Sequence, residues 1–215
     1  MLGEYSMEII WVGHASFEIK VGGKVIYIDP YFGEYKDMAD IILISHGHYD
    51  HSSMEKIGSV SGDNTVVLTV SEVALKIHGA IVMSPGQIKD VAGVKVQAVD
   101  AYNVGKSFHP KGSGLGFVVM AEGKSVYFSG DTDRIPEMKK VKADVVLVPV
   151  GGTYTMNANE AAMAVLDIKP KVAIPMHFGS GIVGTMDDAE LFKEKVEAES
   201  DVKVVILGHG KSLNI

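Results

Sequence analysis

The chain has 215 residues, with 27 acidic residues, 20 basic residues, no cysteine and a formal net charge of −7. The lack of cysteine excludes disulfides, thiolate metal ligands and cysteine nucleophiles, and it favours a cytoplasmic location. The acidic balance makes nucleic acid an unfavoured partner, because a phosphate backbone requires a broad basic surface.

We expect one domain over residues 1–215. The N-terminal segment lacks the basic flank and long apolar core of a signal peptide, and no apolar run approaches the roughly 20 residues of a membrane span. Nothing in the composition indicates an oligomeric state.

Short apolar runs rich in valine and isoleucine recur along the chain, bounded by Gly, Asp, Pro or Asn, and this pattern is typical of strands. We predict about eleven strands, at residues 8–12, 16–19, 25–28, 41–45, 65–69, 94–99, 116–120, 125–129, 144–150, 171–176 and 202–207. Gly22 with Gly23, and Gly123, predict hairpin turns.

Helical patterns lie mostly between strands. A helix is expected to start within residues 52–58, and others are expected at 71–79, 157–170 and 186–200. Asn157 is the predicted N-cap of the third, and Asp187 or Asp188 that of the fourth. Hairpins followed by strands that alternate with helices indicate an α/β (α+β) fold, with mixed sheets and helices outside.

Three histidines and an aspartate follow the predicted strand 41–45 within six positions. His46 and His48 have a spacing of two, so their rings can point to one side of an extended chain, and Asp50 and His51 follow where the chain turns. A solvated polar loop is the alternative. The pattern favours a metal site, and imidazole with carboxylate suits zinc, and also manganese, iron or nickel.

Two later stretches have the same design of a strand followed by polar residues. Asp131 follows the strand at 125–129, and His177 follows the strand at 171–176. A carboxylate can bridge two cations, one through each oxygen, so Asp131 is the candidate bridge.

These residues identify a family resemblance. His46-Gly-His48-Tyr-Asp50-His51, followed by Gly130-Asp131-Thr132 and Pro175-Met176-His177, resembles the metallo-β-lactamase superfamily of binuclear metal-dependent hydrolases. The flanking stretches resemble the branch with the ascorbate-6-phosphate lactonase and uncharacterised zinc-dependent hydrolases. The resemblance implies a four-layer αββα sandwich, in which two mixed sheets lie face to face under outer helices.

The resemblance also implies two divalent metal ions. It assigns His46 and His48 to one ion, Asp50, His51 and His177 to the other, and Asp131 to both. A mid-chain histidine should complete the first site. Asn103 stands where some relatives have that histidine, while His109 is the histidine available in this segment. We favour His109.

The implied activity is hydrolysis of a small ester, lactone or phosphoester by a metal-bound hydroxide, with Asp50 orienting the nucleophile and accepting its proton. His48 stands where oxygen-reducing di-iron relatives carry glutamate, which favours hydrolysis. A phosphodiesterase acting on RNA or DNA, of the tRNA-processing type, and a non-catalytic metal-dependent binding protein remain as alternatives.

A few further residues are secondary candidates. His14 either faces the site or is a hydrogen-bonded residue at a turn. Ser45 or Thr132 are expected to hold the ligand imidazoles. Residues 151–153 could offer N–H groups to an anion or form a plain turn, and we interpret His78 and His209 as structural or surface residues.

Overall fold

Two mixed β-sheets form the centre of the protein in the computed structural model, which describes residues 6–215. The first sheet has the order β14-β1-β2-β3-β4-β5-β6. Its strands are β1 Glu8–Gly13, β2 Ser16–Val21, β3 Lys24–Ile28, β4 Ile41–Ile44, β5 Val66–Thr69, β6 Ile81–Val82 and β14 Lys211–Asn214. Residues 1–5, which begin the segment for which we expect no signal peptide, lie outside the described part.

The second sheet has the order β13-β12-β11-β10-β9-β8-β7. Its strands are β7 Ile88–Val91, β8 Val94–Ala101, β9 Gly114–Ala121, β10 Lys124–Phe128, β11 Val145–Pro149, β12 Val172–Met176 and β13 Lys203–Val204. Strands β3 to β6 pair in parallel, and so do β10 to β13, while the remaining pairs are antiparallel. Parallel strands end at the same edge of a sheet, so the residues that follow them come together.

Helices cover the outer faces, which confirms the predicted four-layer class. They are α1 Met54–Val60, α2 Ser71–Ala74, α3 Ala158–Ile168 and α4 Met186–Glu199, with a 3-10 helix at Pro136–Lys140. The buried stripe of α3 includes Ala161, Ala164 and Val165, and that of α4 includes Phe192 and Val196. None of the helices within residues 6–215 has the length and apolar character needed to cross a membrane.

The core lies between the two sheets and beneath the helices. Phe17 of β2 and Phe128 of β10 meet edge to face across it, with ring centroids 6.3 Å apart, and both side chains are fully buried. Strand β4 is buried along its whole length, as expected for a parallel strand with both faces covered.

Several predicted boundaries need correction. The helix expected over 71–79 is regular only at Ser71–Ala74. Thr185, rather than Asp187 or Asp188, is the N-cap of α4: its hydroxyl accepts from the Asp188 N–H, and the Asp188 side chain accepts from the Thr185 N–H. The strand expected over 202–207 is regular only at Lys203–Val204.

Candidate metal centre

The seven residues predicted as metal ligands converge at one edge of the sandwich. Six of them lie in the loops that follow β4, β10 and β12, and each of these strands has a parallel neighbour, while His109 lies in the loop between β8 and β9. In chain order the seven residues are His46, His48, Asp50, His51, His109, Asp131 and His177. All except His48 are buried, and His48 faces solvent.

The imidazoles and carboxylates form two adjacent groups. His46, His48 and His109 bring one ligand atom each to within 4.8 Å of one another, and so do the members of a second group, Asp50, His51, His177 and His14. In the first group, His46 Nε2 and His109 Nε2 lie 3.0 Å and 3.2 Å from His48 Nδ1. The structure therefore brings His109 to the place that the sequence left open between it and Asn103.

Asp131 lies between the two groups. Its Oδ2 is 3.4 Å from His109 Nε2 of the first group, and 3.4 Å and 3.2 Å from the Nε2 atoms of His51 and His177 of the second. Gly130 permits this approach: it has φ +66°, and a Cβ there would lie 2.6 Å from the Leu115 carbonyl oxygen.

Several buried polar atoms at this centre have no hydrogen-bond partner among the described residues. They are His51 Nε2, Asp131 Oδ1 and both ring nitrogens of His177. Buried polar groups are nearly always paired, so such a concentration at one point needs a partner of another kind. Imidazole nitrogen and carboxylate oxygen suit a divalent transition metal, and the donor set fits such ions.

The ionisation states of His46, His109 and Asp131 agree with metal binding. Burial lowers the pKa of His46 well below its ordinary value and lowers that of His109, so both imidazoles favour the neutral form that coordinates metal. Burial alone would raise the pKa of Asp131, but His177 and His51 hold it well below its usual range. Burial acts against charge on His51, but Asp131 raises its pKa well above the ordinary value, so a metal ion that binds here must displace the second ring proton of His51.

Asp29, which our sequence analysis did not single out, supports both groups from below. It is fully buried at the end of β3. Its Oδ2 accepts from His51 Nδ1 at 2.7 Å and from the Ser45 hydroxyl at 2.6 Å, and its Oδ1 accepts from the Ser45 N–H at 2.7 Å. Ser45 Oγ in turn lies 2.9 Å from His46 Nδ1. The sequence feature that could have identified Asp29 is its position directly after a predicted strand, which resembles the feature that identified Asp131.

Asn103 has the corresponding role for His109. Its Oδ1 lies 3.0 Å from His109 Nδ1 and accepts from the His109 N–H at 2.9 Å. Its Nδ2 donates to the Tyr154 carbonyl at 2.9 Å and to Asp133 Oδ1 at 3.2 Å. These two acceptors fix the orientation of the amide, so Asn103 presents its oxygen to the imidazole.

His14 faces the centre and is also a hydrogen-bonded residue at a turn, so both interpretations given above apply. Its Nε2 is 3.1 Å from Asp50 Oδ2 and its Nδ1 is 2.9 Å from Ser180 Oγ, so both nitrogens have partners within the protein. Burial lowers the pKa of His14 although Asp50 acts in the opposite direction. The geometry is that of a group that orients Asp50.

Backbone conformation at the centre is unusual. Of the non-glycine residues with positive φ in the described part, Ala92 and Glu122 lie in hairpin turns and Lys169 caps α3. The others are His14, Asp29 and His177, with φ of 54°, 46° and 63°. Left-handed conformations of such residues are costly and persist where the surroundings impose them, which is typical of functional sites.

Other secondary candidates do not reach the cluster. Thr132 does not hold an imidazole, because its hydroxyl lies within hydrogen-bond distance of the backbone carbonyls of Tyr102 and Asp133 instead. The N–H groups of Gly152 and Thr153 donate to carbonyls of their own loop, as in a plain turn. The exposed His78 and His209 belong to neither group; His209 packs on Trp11, with ring centroids 4.8 Å apart.

A cleft of about 230 Å³ opens onto the cluster, and its lining includes His48, Asp50, His109 and Asp131. A small molecule that enters this cleft meets ligand atoms of both groups. The cleft is therefore the place where a substrate would react.

Comparisons with known proteins bear on the family and the fold. Residues 8–177 match the family described as the β-lactamase superfamily domain. A UPF0173 metal-dependent hydrolase of Methanopyrus kandleri is 33% identical over 228 residues, which cover 96% of this chain and 99% of the relative. One from Pelotomaculum thermopropionicum is 34% identical, covering 97% and 100%. The structure of Igni18, a metallo hydrolase of Ignicoccus hospitalis, has a TM-score of 0.82 and 26% identity, and 98% of each chain is covered.

Proposed function

The chain belongs to the β-lactamase superfamily, and we propose that it is a metal-dependent hydrolase that cleaves a small ester, lactone or phosphoester at a binuclear site. The position of Asp131 carries this proposal. Its Oδ2 lies within 3.4 Å of imidazole nitrogens from both groups, and its Oδ1 has no hydrogen-bond partner among the described residues, so both oxygens are available to ions held by the two groups.

In this proposal each group holds one ion. His46, His48 and His109 would hold the first ion, Asp50, His51 and His177 would hold the second, and Asp131 would be shared between them. When bound, the ions would supply Lewis-acid chemistry, since they would polarise a substrate oxygen and lower the pKa of a water molecule to about 7. A set of five imidazoles and two carboxylates favours zinc, with manganese, iron or nickel as alternatives.

The protein groups orient the reaction. Asp50 lines the cleft, and in this proposal it orients a water molecule and accepts its proton. Burial alone would raise the pKa of Asp50, but His14 and His51 hold it below its usual range, so Asp50 favours the ionised form that can accept a hydrogen bond from water. His14 holds the Asp50 carboxylate from behind at 3.1 Å, so the carboxylate keeps one orientation. The supporting hydrogen bonds of Asp29, Ser45 and Asn103 act in the same way on the imidazoles, and such outer partners raise metal affinity.

The remaining expectations stay proposals. We propose that residues 1–215 act as one domain on a small molecule in the cytoplasm. The net charge of −7 speaks against a nucleic-acid substrate. The two alternatives, a nucleic-acid phosphodiesterase and a non-catalytic metal-dependent binding protein, are distinguished by the following test.

Metal content and turnover test the proposal together. Protein purified without added metal should contain near two ions per chain, and a chelator should abolish its hydrolysis of γ-butyrolactone or bis-p-nitrophenyl phosphate. His46→Ala and Asp131→Ala should lose both metal and turnover, because each removes a ligand. His78→Ala, which changes an exposed histidine outside both groups, should retain both.

Each alternative has its own outcome. Turnover of RNA or a DNA strand in preference to the small substrates would support the phosphodiesterase. Stoichiometric metal without turnover of any substrate would support the binding protein. An Asp131→Ala variant that retains full activity would exclude the binuclear mechanism.

A further inference from the structure

The cleft is lined by four large aromatic or aliphatic side chains besides the candidate ligands, and together they are called the apolar wall. The wall is formed by Tyr49, Phe108, Tyr154 and Ile182, which come from separate loops after β4, β8, β11 and β12. The Phe108 and Tyr154 rings meet edge to face, with centroids 4.8 Å apart and planes at 86°. The loops after β4, β8 and β11 thus each contribute one aromatic ring. Tyr49 and Phe108 are adjacent in sequence to proposed ligands, and the Tyr154 carbonyl accepts from Asn103, which supports His109.

The three aromatic side chains of the wall are exposed to solvent, although contact of aromatic rings with water is unfavourable. Tyr49 is 68% exposed, Phe108 46% and Tyr154 36%. Large apolar side chains gathered at one exposed place are typical of ligand-binding surfaces, because a bound molecule removes their area from water.

The apolar wall carries no positive charge. Among the described residues that line the cleft there is no lysine or arginine. Lys106 lies in the same loop as Phe108, but its ammonium donates to Asp133 Oδ1 and to the Thr155 carbonyl oxygen, each at 2.7 Å. A phosphate or carboxylate on the remote part of a substrate would therefore lose its hydration without gaining a counter-ion.

The cleft is also small. Its volume of about 230 Å³ is below the range of about 300–1,000 Å³ that is typical for drug-sized ligands. A polymer end or a nucleotide with its phosphates does not match a cleft of this size and polarity.

From these observations, and resting on the function proposed above, we propose that the substrate is a small uncharged ester or lactone with an apolar group, aryl or branched alkyl, remote from the reacting carbonyl. The carbonyl faces the cluster, and the apolar group lies against Phe108, Tyr154 and Ile182. Hydrolysis adds water across the acyl C–O bond: oxygen goes to the carbonyl carbon, and a proton goes to the leaving alkoxide oxygen.

Matched lactones test this proposal. γ-Butyrolactone, its γ-phenyl derivative and its γ-carboxy derivative share the reacting ring and differ in the remote group. We expect the KM of the phenyl compound to be about tenfold lower than that of the parent, and the KM of the carboxylate to be higher. Equal KM values, or a lowest KM for the carboxylate, would overturn the proposal.

Variants of the wall locate the effect. Phe108→Ala and Tyr154→Ala should each bring the phenyl preference close to one, and Phe108→Leu should retain part of it. Leu75→Ala is the control, because Leu75 is a large apolar residue that is 89% exposed outside the cleft. A phenyl preference that survives both alanine variants would place the apolar group elsewhere and contradict the proposal.

A binding measurement separates this proposal from the proposed function. Cyclopentanone and 3-phenylcyclopentanone carry a carbonyl but are not hydrolysed. Calorimetry therefore measures the affinity of each ketone for the cleft without turnover, both before and after chelation. Tighter binding of the phenyl ketone in both forms, lost in Phe108→Ala, supports the apolar subsite even if no ester is cleaved. Metal-dependent turnover without any phenyl preference overturns the subsite and leaves the hydrolase.

Discussion

In three of the proposed ligands, one ring nitrogen contacts a supporting protein group and the other ring nitrogen faces the cluster. The Nδ1 atoms of His46, His51 and His109 face Ser45, Asp29 and Asn103, and their Nε2 atoms face the cluster. Because the Ser45 hydroxyl has a single proton and donates it to Asp29, its oxygen accepts from His46 Nδ1–H. This chain of donors selects the tautomer whose Nε2 lone pair is free for a metal ion.

Asp29 is the residue on which most of these contacts depend, and Asp29→Asn tests its role. The amide keeps one acceptor oxygen and replaces the other with an NH2 group. In one orientation the NH2 group faces the Ser45 N–H, and in the other it faces the Ser45 hydroxyl and His51 Nδ1, so at least one hydrogen bond is lost in either case. We expect metal affinity to fall about 10–100-fold, measured by competition with a chromophoric zinc chelator.

Asp63→Asn is the matched control for this substitution, since Asp63 is an exposed loop residue of the same type. Its metal affinity should equal that of the unchanged protein. Equal affinity in Asp29→Asn and Asp63→Asn would mean that the Asp29 carboxylate has no part in metal binding.

Among secondary-structure elements, the central strands agree with prediction and the edge strands do not. The edges of the two sheets are β14 and β6, and β13 and β7. The sequence pattern missed β6, β7 and β14, and β13 is shorter than predicted. An edge strand has a partner on one side only and is largely exposed, as in the run Ile88–Val91, so it lacks the apolar pattern from which strands are predicted.

Helix α3 was predictable because its start has a local chemical cause. Asn157 Oδ1 accepts from the Glu160 N–H at 3.0 Å, and the Glu160 carboxylate accepts from the Asn157 N–H at 2.9 Å, which completes the predicted capping box. The wrong N-cap of α4 has the same origin. Two adjacent aspartates offered plausible caps, and the threonine before them makes the bonds.

The cap of α3 gives an element-scale prediction. Asn157→Ala should lower the free energy of unfolding by about 1 kcal/mol, and the melting temperature by about 2–4 °C for a chain of this size. Asn159→Ala, at an exposed position in the same first turn, should cause no loss. Thermal unfolding followed by circular dichroism measures both, and equal melting temperatures for the two variants would contradict the capping role.

At the scale of the whole molecule, the two sheets share one connectivity. Each contains a hairpin, β2-β3 or β9-β10, whose second strand begins a run of parallel strands. Asp40 directly precedes β4 and accepts from the Val25 N–H at 2.9 Å; Asp144 directly precedes β11 and accepts from the Ser125 N–H at 2.9 Å. The metal centre forms where these two similar halves meet, with ligands from both.

Metal removal should therefore destabilise the whole fold. Ions held by both sheets stabilise the native state, by about 4 kcal/mol when free metal is 1,000 times its dissociation constant. We expect a chelator to lower the melting temperature by about 10 °C and excess zinc to restore it. His177→Ala, which removes a ligand of one ion, should show a smaller shift; a melting temperature unaffected by chelation would show that the ions do not link the halves.

By itself, the sequence determined the class of fold and the chemical type of the site. Apolar runs bounded by turn residues reported the central strands, and His46, His48, Asp50 and His51 are close in the chain, so their spacing was informative. That residues 1–215 form a single domain remains a prediction.

Only the tertiary structure decided how distant residues combine. His109 reaches the cluster because Asn103 holds both its backbone and its ring, and neither contact has a sequence signature. Asp29 lies 16 and 22 residues from its partners Ser45 and His51. The apolar wall is built from loops that meet only after both sheets have packed. Long-range contacts depend on which strands end at the same edge, and local patterns do not carry that information.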